Sequence, residues 1–257
     1  MKISSKRKIT QVLALIISNL GFFRILKTGF IGPFLYCYGC PFAFLGCPIG
    51  VLQNFVIYGQ FPLLAIGSLG VYGILVGRAF CGWACPFGAL HDLASYLKGE
   101  KSFKTPRSRC WYVKYIGLFV VLALAWMTLD TVFCKFCPSG SLFATIPYFM
   151  LNPNSPVGVF FYIHILTLAI TLILAYLVVH FWCRYLCPLG AIHGVFNKVS
   201  LLNIRFDEKK CTECEVCLEV CPMGIDKVDD IGSSTDCTMC GRCVEECPEK
   251  ALSFVVK

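Results

Sequence analysis

The chain has 257 residues, of which 57% are hydrophobic and 15% charged, with 18 cysteines and a formal net charge of +8. A soluble domain carries about 25% charged residues, so this composition excludes an ordinary water-soluble fold and points to a membrane. The basic charge is no nucleic-acid footprint: residues 1–202 hold 16 Lys and Arg against 3 Asp and Glu, set in short connections between apolar runs, whereas residues 203–257 hold 7 against 12. That contrast divides the chain into a basic, apolar membrane domain over 1–202 and an acidic, soluble tail over 203–257.

A membrane-spanning helix needs about 20 apolar residues, and four runs qualify. Ile9–Phe30 follows the basic "MKISSKRK" and is interrupted by Arg24 and Lys27; without a small-residue cleavage site after its core it reads as an anchor. "CYGCPFAFLGCPIG" then supplies Cys37, Cys40 and Cys47. Phe61–Phe80 is the second span, and it ends in "FCGWACPFGALHD", with Cys81, Cys85 and His91. A connection rich in Lys98, Lys101, Lys104, Arg107 and Arg109 leads past a solitary Cys110 to the third span, Tyr112–Phe133. Asp130 lies near its end, and "CKFCPSG" follows with Cys134 and Cys137. Val157–Trp182 is the fourth span, and "WCRYLCPLGAIHG" closes it with Cys183, Cys187 and His193. Lys and Arg gather at the N-terminus, in the 98–109 connection and after the fourth span, which places both termini on the cytoplasmic side of a multi-pass protein of the cell membrane.

The tail contains "CTECEVCLEVCP" and "CTMCGRCVEECP", both C-x-x-C-x-x-C-x-x-x-C-P. This is the bacterial spacing for two 4Fe–4S clusters, in which the fourth cysteine of each run serves the other cluster. Set A is therefore Cys211, Cys214, Cys217 and Cys247, and set B is Cys237, Cys240, Cys243 and Cys221. Zinc or disulfides would not require two full copies, each closed by Cys-Pro.

The membrane cysteines form a tandem repeat, over about 37–92 and 134–194. Each unit runs Cys-Pro-x-Gly, span, then C-x-x-x-C-P-x-Gly-Ala. Related by an axis along the membrane normal, as in parallel transporter repeats, the two inner corners would gather Cys81, Cys85, Cys183 and Cys187 around one cluster. Four of Cys37, Cys40, Cys47, Cys134 and Cys137 would hold a second cluster on the outer face, with a disulfide as the alternative there. Proline suits the first helical position, so each preceding cysteine sits at a helix N-terminus, where free N–H groups favour an anionic centre. The Gly-Ala that follows permits close backbone approach. Surface-confined inner and outer clusters would lie about 30 Å apart; a wire across the membrane then requires the Cys-Pro segments to dip inward, or a quinone to bridge. Cys110 reads as an ordinary buried thiol. His91 and His193, at matching positions, are candidates for a quinone contact. His164 and His180, about 24 Å apart along one helix, cannot share a haem, so neither haem nor flavin is expected.

The paired "CGWACPFGAL" and "CRYLCPLGAI" with the two-cluster tail resemble the NapH/MauN type of polytopic iron–sulfur membrane protein, and the membrane half of NosR. The resemblance spans nearly the whole chain. It implies a membrane all-α fold of about four transmembrane helices in two pseudo-symmetric repeats, followed by a ferredoxin-like α+β domain. It also implies electron transfer between a cytoplasmic redox partner of a membrane oxidoreductase complex and the quinone pool or an outer acceptor, with Cys81, Cys85, Cys183 and Cys187 as corner ligands. The outer cysteines depart from NapH, and NosR's flavin domain has no counterpart here. The alternative is a maturation or regulatory polyferredoxin supplying electrons to metalloenzyme assembly.

Overall fold

The computed structural model describes residues 2–22, 28–97 and 112–257, with the side chain of Phe22 left out. Cys110, Arg24, Lys27 and the basic residues Lys98, Lys101, Lys104, Arg107 and Arg109 lie outside the described residues.

Helix α1 (Ile3–Ser18) opens the fold, and a short parallel pair, β1 (Phe30–Ile31) with β2 (Leu45–Gly46), leads into α2 (Pro48–Ile57). Next come α3 (Leu63–Val76), α4 (Ala79–Trp83) and α5 (Pro86–Leu97). The second half repeats this plan: α6 (Val113–Thr128), α7 (Val132–Phe136), α8 (Pro138–Gly140), a π-helical turn Ser141–Thr145, α9 (Ile146–Leu151), α10 (Val159–Leu177), a π-helical turn Trp182–Leu186 and α11 (Pro188–Phe196). The tail adds β3 (Leu202–Phe206), α12 (Val216–Glu219), α13 (Arg242–Glu246) and β4 (Leu252–Val256). β3 and β4 pair antiparallel, from Leu202 opposite Val256 to Phe206 opposite Leu252.

Cys-Pro dipeptides set the helix starts. The residue before proline is driven out of the helical region, and Cys47, Cys137 and Cys187 are extended, with ψ of 121°, 116° and 110°. Proline then occupies the first turn of α2, α8 and α11. The inner corners are built alike in both repeats: the N–H of Cys85 donates to Phe80 O and that of Cys187 to Trp182 O, both at 2.9 Å.

Expected spans and observed helices differ in length. Among the described residues, α10 is the one helix long and apolar enough to cross a membrane, with 19 residues and a mean hydropathy of 2.2. α3 and α6 have 14 and 16 residues, about 21 and 24 Å at 1.5 Å per residue, short of a hydrocarbon core of about 30 Å. The missing length is taken up by turns that lead into the cysteine corners. α3 stops at Gly77, α6 at the left-handed Leu129, and α10 before an extended Val178. His180 consequently lies beyond α10, in a left-handed turn with φ of 53°, and does not share a helix with His164 as expected. Helices α1, α3, α6 and α10 carry exposed Leu13, Leu64, Phe119, Met127 and Leu166, apolar surface of the kind that marks an interaction with lipid or another apolar surface.

Gly77 has φ +56° and ψ −130°, and a Cβ there would stand 2.6 Å from Asn197 Oδ1. A side chain would be strained and would clash. Gly77→Ala is expected to cost about 1–3 kcal/mol from backbone strain alone, read as a lower Tm in detergent by circular dichroism. An unchanged Tm would remove Gly77 as the obligatory turn that ends α3.

Candidate functional site

In the tail, the structure separates the eight cysteines into two cavities. One is lined by Cys211, Cys214, Cys217 and Cys247, the other by Cys221, Cys237, Cys240 and Cys243. The fourth cysteine of each run thus lies with the other run. Burial, then neighbouring thiolates, push Cys221 up to about 11 and Cys237 up to about 12, and raise Cys217 and Cys243. Four desolvated thiols that repel one another on ionising are stabilised by a bound cationic core, because metal binding drives their deprotonation. Among the described residues no three His, Cys, Asp or Glu converge closely enough for a single metal ion. All-sulfur sets around an open cavity fit a cluster better than one zinc ion. The wrapping loops hold Glu213, Glu215 and Met239 at positive φ.

Cys81, Cys85, Cys183 and Cys187 are all buried, and the electrostatic neighbours of Cys183 are Cys187, Cys85 and Cys81. Gly88 N–H donates to Cys85 Sγ at 3.4 Å and Gly190 N–H to Cys187 Sγ at 3.3 Å. The glycine of each Cys-Pro-x-Gly therefore presents an N–H to the sulfur three residues before it. A Cβ at Gly88 would stand 2.6 Å from Cys81 O, so the close backbone approach expected of these glycines is present. Arg78, wholly buried, is an electrostatic neighbour of Cys81, Cys187 and Cys183 and hydrogen-bonds the Cys183 carbonyl. His91 and His193 occupy matching positions but different surroundings. His193 Nε2 lies 3.1 Å from Pro33 O, whereas His91 stacks on His180 at 5.8 Å and neither of its ring nitrogens has a hydrogen-bond partner among the described residues. Burial pushes His91 down to about 3 and His193 down to about 4, so both rings are neutral at pH 7.

The third gathering is a cavity of about 550 Å³ lined by Cys37, Cys47, Cys134 and Cys137, with Tyr36, Gly50, Phe133 and Gly140. Cys40 is excluded from it. Its sulfur faces Tyr36 Oη at 3.8 Å and accepts from Phe42 N–H at 3.4 Å. No disulfide joins any of the described cysteines. Asp130 forms an ion pair with Lys135 at a partly exposed position, so its carboxylate is engaged locally. Inner and outer cysteines share one apolar core, with Cys85, Cys137 and Cys187 in it and Cys47 packed against it. Rings link the two sets: Trp182 lies 6.3 Å from Phe87 and 6.4 Å from Phe133.

The tail docks on the inner corners through the loop that carries set B. Trp83 Nε1 donates to Met239 O at 2.8 Å, and Asn197 Nδ2 to Cys237 O at 2.7 Å. Gly82 lies so close that a Cβ would stand 2.5 Å from Thr238 O. Ala79 belongs to the tail's own apolar core, with Val76 and Trp83 packed against it. Two buried carboxylates fasten the joint. Asp236 of the tail receives Arg78 and Lys114. Asp92 receives Arg7 at 2.7 Å, His180 and Arg242 each at 3.2 Å, and Gln11 at 3.0 Å. Burial opposes its ionisation, yet the His180 hydrogen bond and the Arg7 and Arg242 charges hold Asp92 well below the usual carboxylate range. None of Arg78, Lys114, Asp92 or Asp236 was singled out from the sequence. The available signal was the scarcity of acids: Asp92 is one of three in residues 1–202.

A family model described as a 4Fe–4S binding domain matches residues 58–106, 111–150 and 160–207, more than half of the chain. The chain belongs to this 4Fe–4S binding family. A second, described as a 4Fe–4S dicluster domain, matches residues 203–248. Curated relatives of this family member include the ferredoxin-type protein NapH of Escherichia coli, 27% identical over 51% of this chain and 42% of that protein. YccM of Escherichia coli is 37% identical over 31% of this chain and 25% of its own length. The methylamine utilization ferredoxin-type protein MauN of Methylorubrum extorquens is 39% identical over 16% of this chain and 14% of its own. The chain thus spans less than half the length of each of these relatives. No solved structure matches it. The chain is thus similar to ferredoxin-type proteins of the NapH kind, and both of its family models describe the binding of 4Fe–4S clusters.

Removing one partner of a buried ion pair leaves an uncompensated charge, at a cost of about 3–5 kcal/mol. Asp236→Asn would strand Arg78 and Lys114. It is expected to lower the Tm and to expose the tail to limited proteolysis. Wild-type protease resistance in this variant would show that Asp236 does not fasten the joint.

Proposed function

We propose that this chain is a multi-pass electron relay of the cytoplasmic membrane, with four 4Fe–4S clusters in the order set A, set B, inner corner, outer cavity. Clusters bound at these cysteines supply one-electron redox chemistry. The chain's own residues hold the sites in line. The observation that carries the order is the hydrogen bonding of the set B loop to the inner corner, Met239 O to Trp83 and Cys237 O to Asn197. Trp182, packed between Phe87 and Phe133, continues the line toward the outer cavity. The Cys-Pro segments enter the interior as helix starts, so the relay does not need to cross a full bilayer thickness in one step.

Helices α1, α3, α6 and α10 are the membrane segments in this reading, supported by their exposed apolar faces and by the Lys and Arg distribution. The N-terminus and the tail share the cytoplasmic side; Ser4 N–H donates to Glu245 at 2.8 Å. The partner is a redox protein of a membrane complex meeting set A, whose Cys214 is exposed. His91, neutral and buried against Phe87, with neither ring nitrogen partnered among the described residues, is the residue assigned to hydrogen-bond a quinone, with His193 as its repeat mate.

Four cubanes require about sixteen irons per chain, counted on anaerobically purified protein. Cys85→Ser and Cys187→Ser are each expected to remove the same four irons and the same EPR signal. Loss of different signals in the two variants would reject the shared inner site.

The order is tested in sealed vesicles, with reductant on the tail side and an impermeant acceptor enclosed. Acceptor reduction without added quinone, abolished in Cys137→Ser, is the expected outcome. Full iron content with no transfer would reject the outer step.

A further inference from the structure

Gln53 is a polar side chain with no exposure at all, buried on α2 together with Ile49 and Leu52. Its amide is nonetheless fully engaged. Nε2 donates to Ile49 O at 3.3 Å and to Cys134 Sγ at 3.6 Å, and Oε1 accepts the N–H of Phe133 at 3.2 Å. The Phe133 N–H fixes the orientation of the amide, because only the oxygen can accept it. The NH₂ end therefore faces sulfur.

Cys134 is the outer cysteine with most need of such a partner. Cys47 and Cys137 are repeat mates, each at the start of a Cys-Pro helix with an N–H of Gly50 or Gly140 at its sulfur. Cys134 has no such mate; Phe44 occupies the matching place in the first repeat. Cys134 lies within α7, and the side chains of Gln53 and Thr131 are the polar groups at its sulfur. Its carbonyl is held from a third helix by His164 Nε2 at 3.0 Å, whose Nδ1 meets Thr145 Oγ1 at 2.7 Å. A ligand supplied by the second repeat alone is thus fixed by a residue of the first.

We propose that Gln53 is the positioning residue of the outer centre, fixing Cys134 and setting the reduction potential of the cluster held there. This rests on the outer-cluster reading given above. An N–H donated to a cluster sulfur favours the more negatively charged, reduced state, and hydrogen bonds to sulfur are among the levers that set cluster potentials. In an apolar surrounding that bond is strong. Removing it destabilises the reduced state and lowers the potential.

The test is an anaerobic redox titration by EPR, with iron content, on full-length protein in detergent. Wild type is compared with Gln53→Met, which keeps the volume and loses both polar ends, and with Gln53→Glu, which keeps an acceptor for Phe133 and loses the donor. The expected result is a lower midpoint for one cluster signal, the one lost in Cys137→Ser, with the other midpoints unmoved. Selective loss of that one signal in both variants would also support the positioning role. An unchanged midpoint in Gln53→Met, or an equal shift of all signals, would overturn the inference while leaving the outer cluster standing. Wild-type protein with about twelve irons, four per cubane, and no signal sensitive to Cys137→Ser would overturn the outer-cluster reading itself, and the role of Gln53 with it.

Discussion

A sulfur anion placed in an apolar interior is stable only where positive charge or N–H groups face it, since burying an uncompensated charge costs several kcal/mol. This chain gathers many thiols in such places, and much of its irregular structure answers that requirement. Helices break where spans were expected to continue, because a broken helix exposes the N–H groups that an unbroken one consumes. Gly88 and Gly190 aim theirs at Cys85 and Cys187. Arg78, with no exposure, stands among Cys81, Cys183 and Cys187. Even Gln53, wholly buried in the outer half, turns its donor toward a sulfur.

The repeat follows from the same need. One corner offers two thiols, and a cubane takes four ligands. Duplicating the corner and rotating the copies together completes a set whose halves are alike, down to the matched hydrogen bonds Cys85 to Phe80 and Cys187 to Trp182. The outer set keeps the symmetric pair Cys47 and Cys137 but completes itself with Cys37 and Cys134, which are not mates. Those unsymmetric positions are where unsymmetric supports, Gln53 and His164, are found.

The tail is part of this arrangement more than an appendage to it. Its apolar core accepts Ala79 from the first corner, and its carboxylate Asp236 neutralises Arg78, the cation that serves the inner sulfurs. Asp92 ties α1, the corner after α10 and the tail helix α13 together through Arg7, His180 and Arg242. Loosening the tail would therefore disturb the charge balance at the inner corner. The sequence treats 1–202 and 203–257 as separate blocks because charge changes there; physically, the boundary region is one joint.

The grouping of Cys211, Cys214 and Cys217, and of Cys237, Cys240 and Cys243, follows local chain geometry because these residues are only three apart, whereas the crossing of Cys247 and Cys221 joins residues 16 or more apart and is tertiary. The helix starts were legible because proline acts on its own residue and the one before it. Helix ends were not. α3, α6 and α10 are shorter than their apolar runs because a run records hydrophobicity, while the cysteine corners that interrupt it are held by contacts from elsewhere in the chain. Tertiary structure alone decided which of five outer cysteines stands aside: Cys40 precedes a proline as Cys47 and Cys137 do, but its sulfur meets Tyr36 and the Phe42 N–H instead of the cavity. It also decided that His180 meets Asp92 and that Gln53 meets Cys134, pairs 88 and 81 residues apart. Sequence determined what short stretches of chain can do by themselves; partners so distant in sequence were fixed only when the two repeats and the tail packed into one interior.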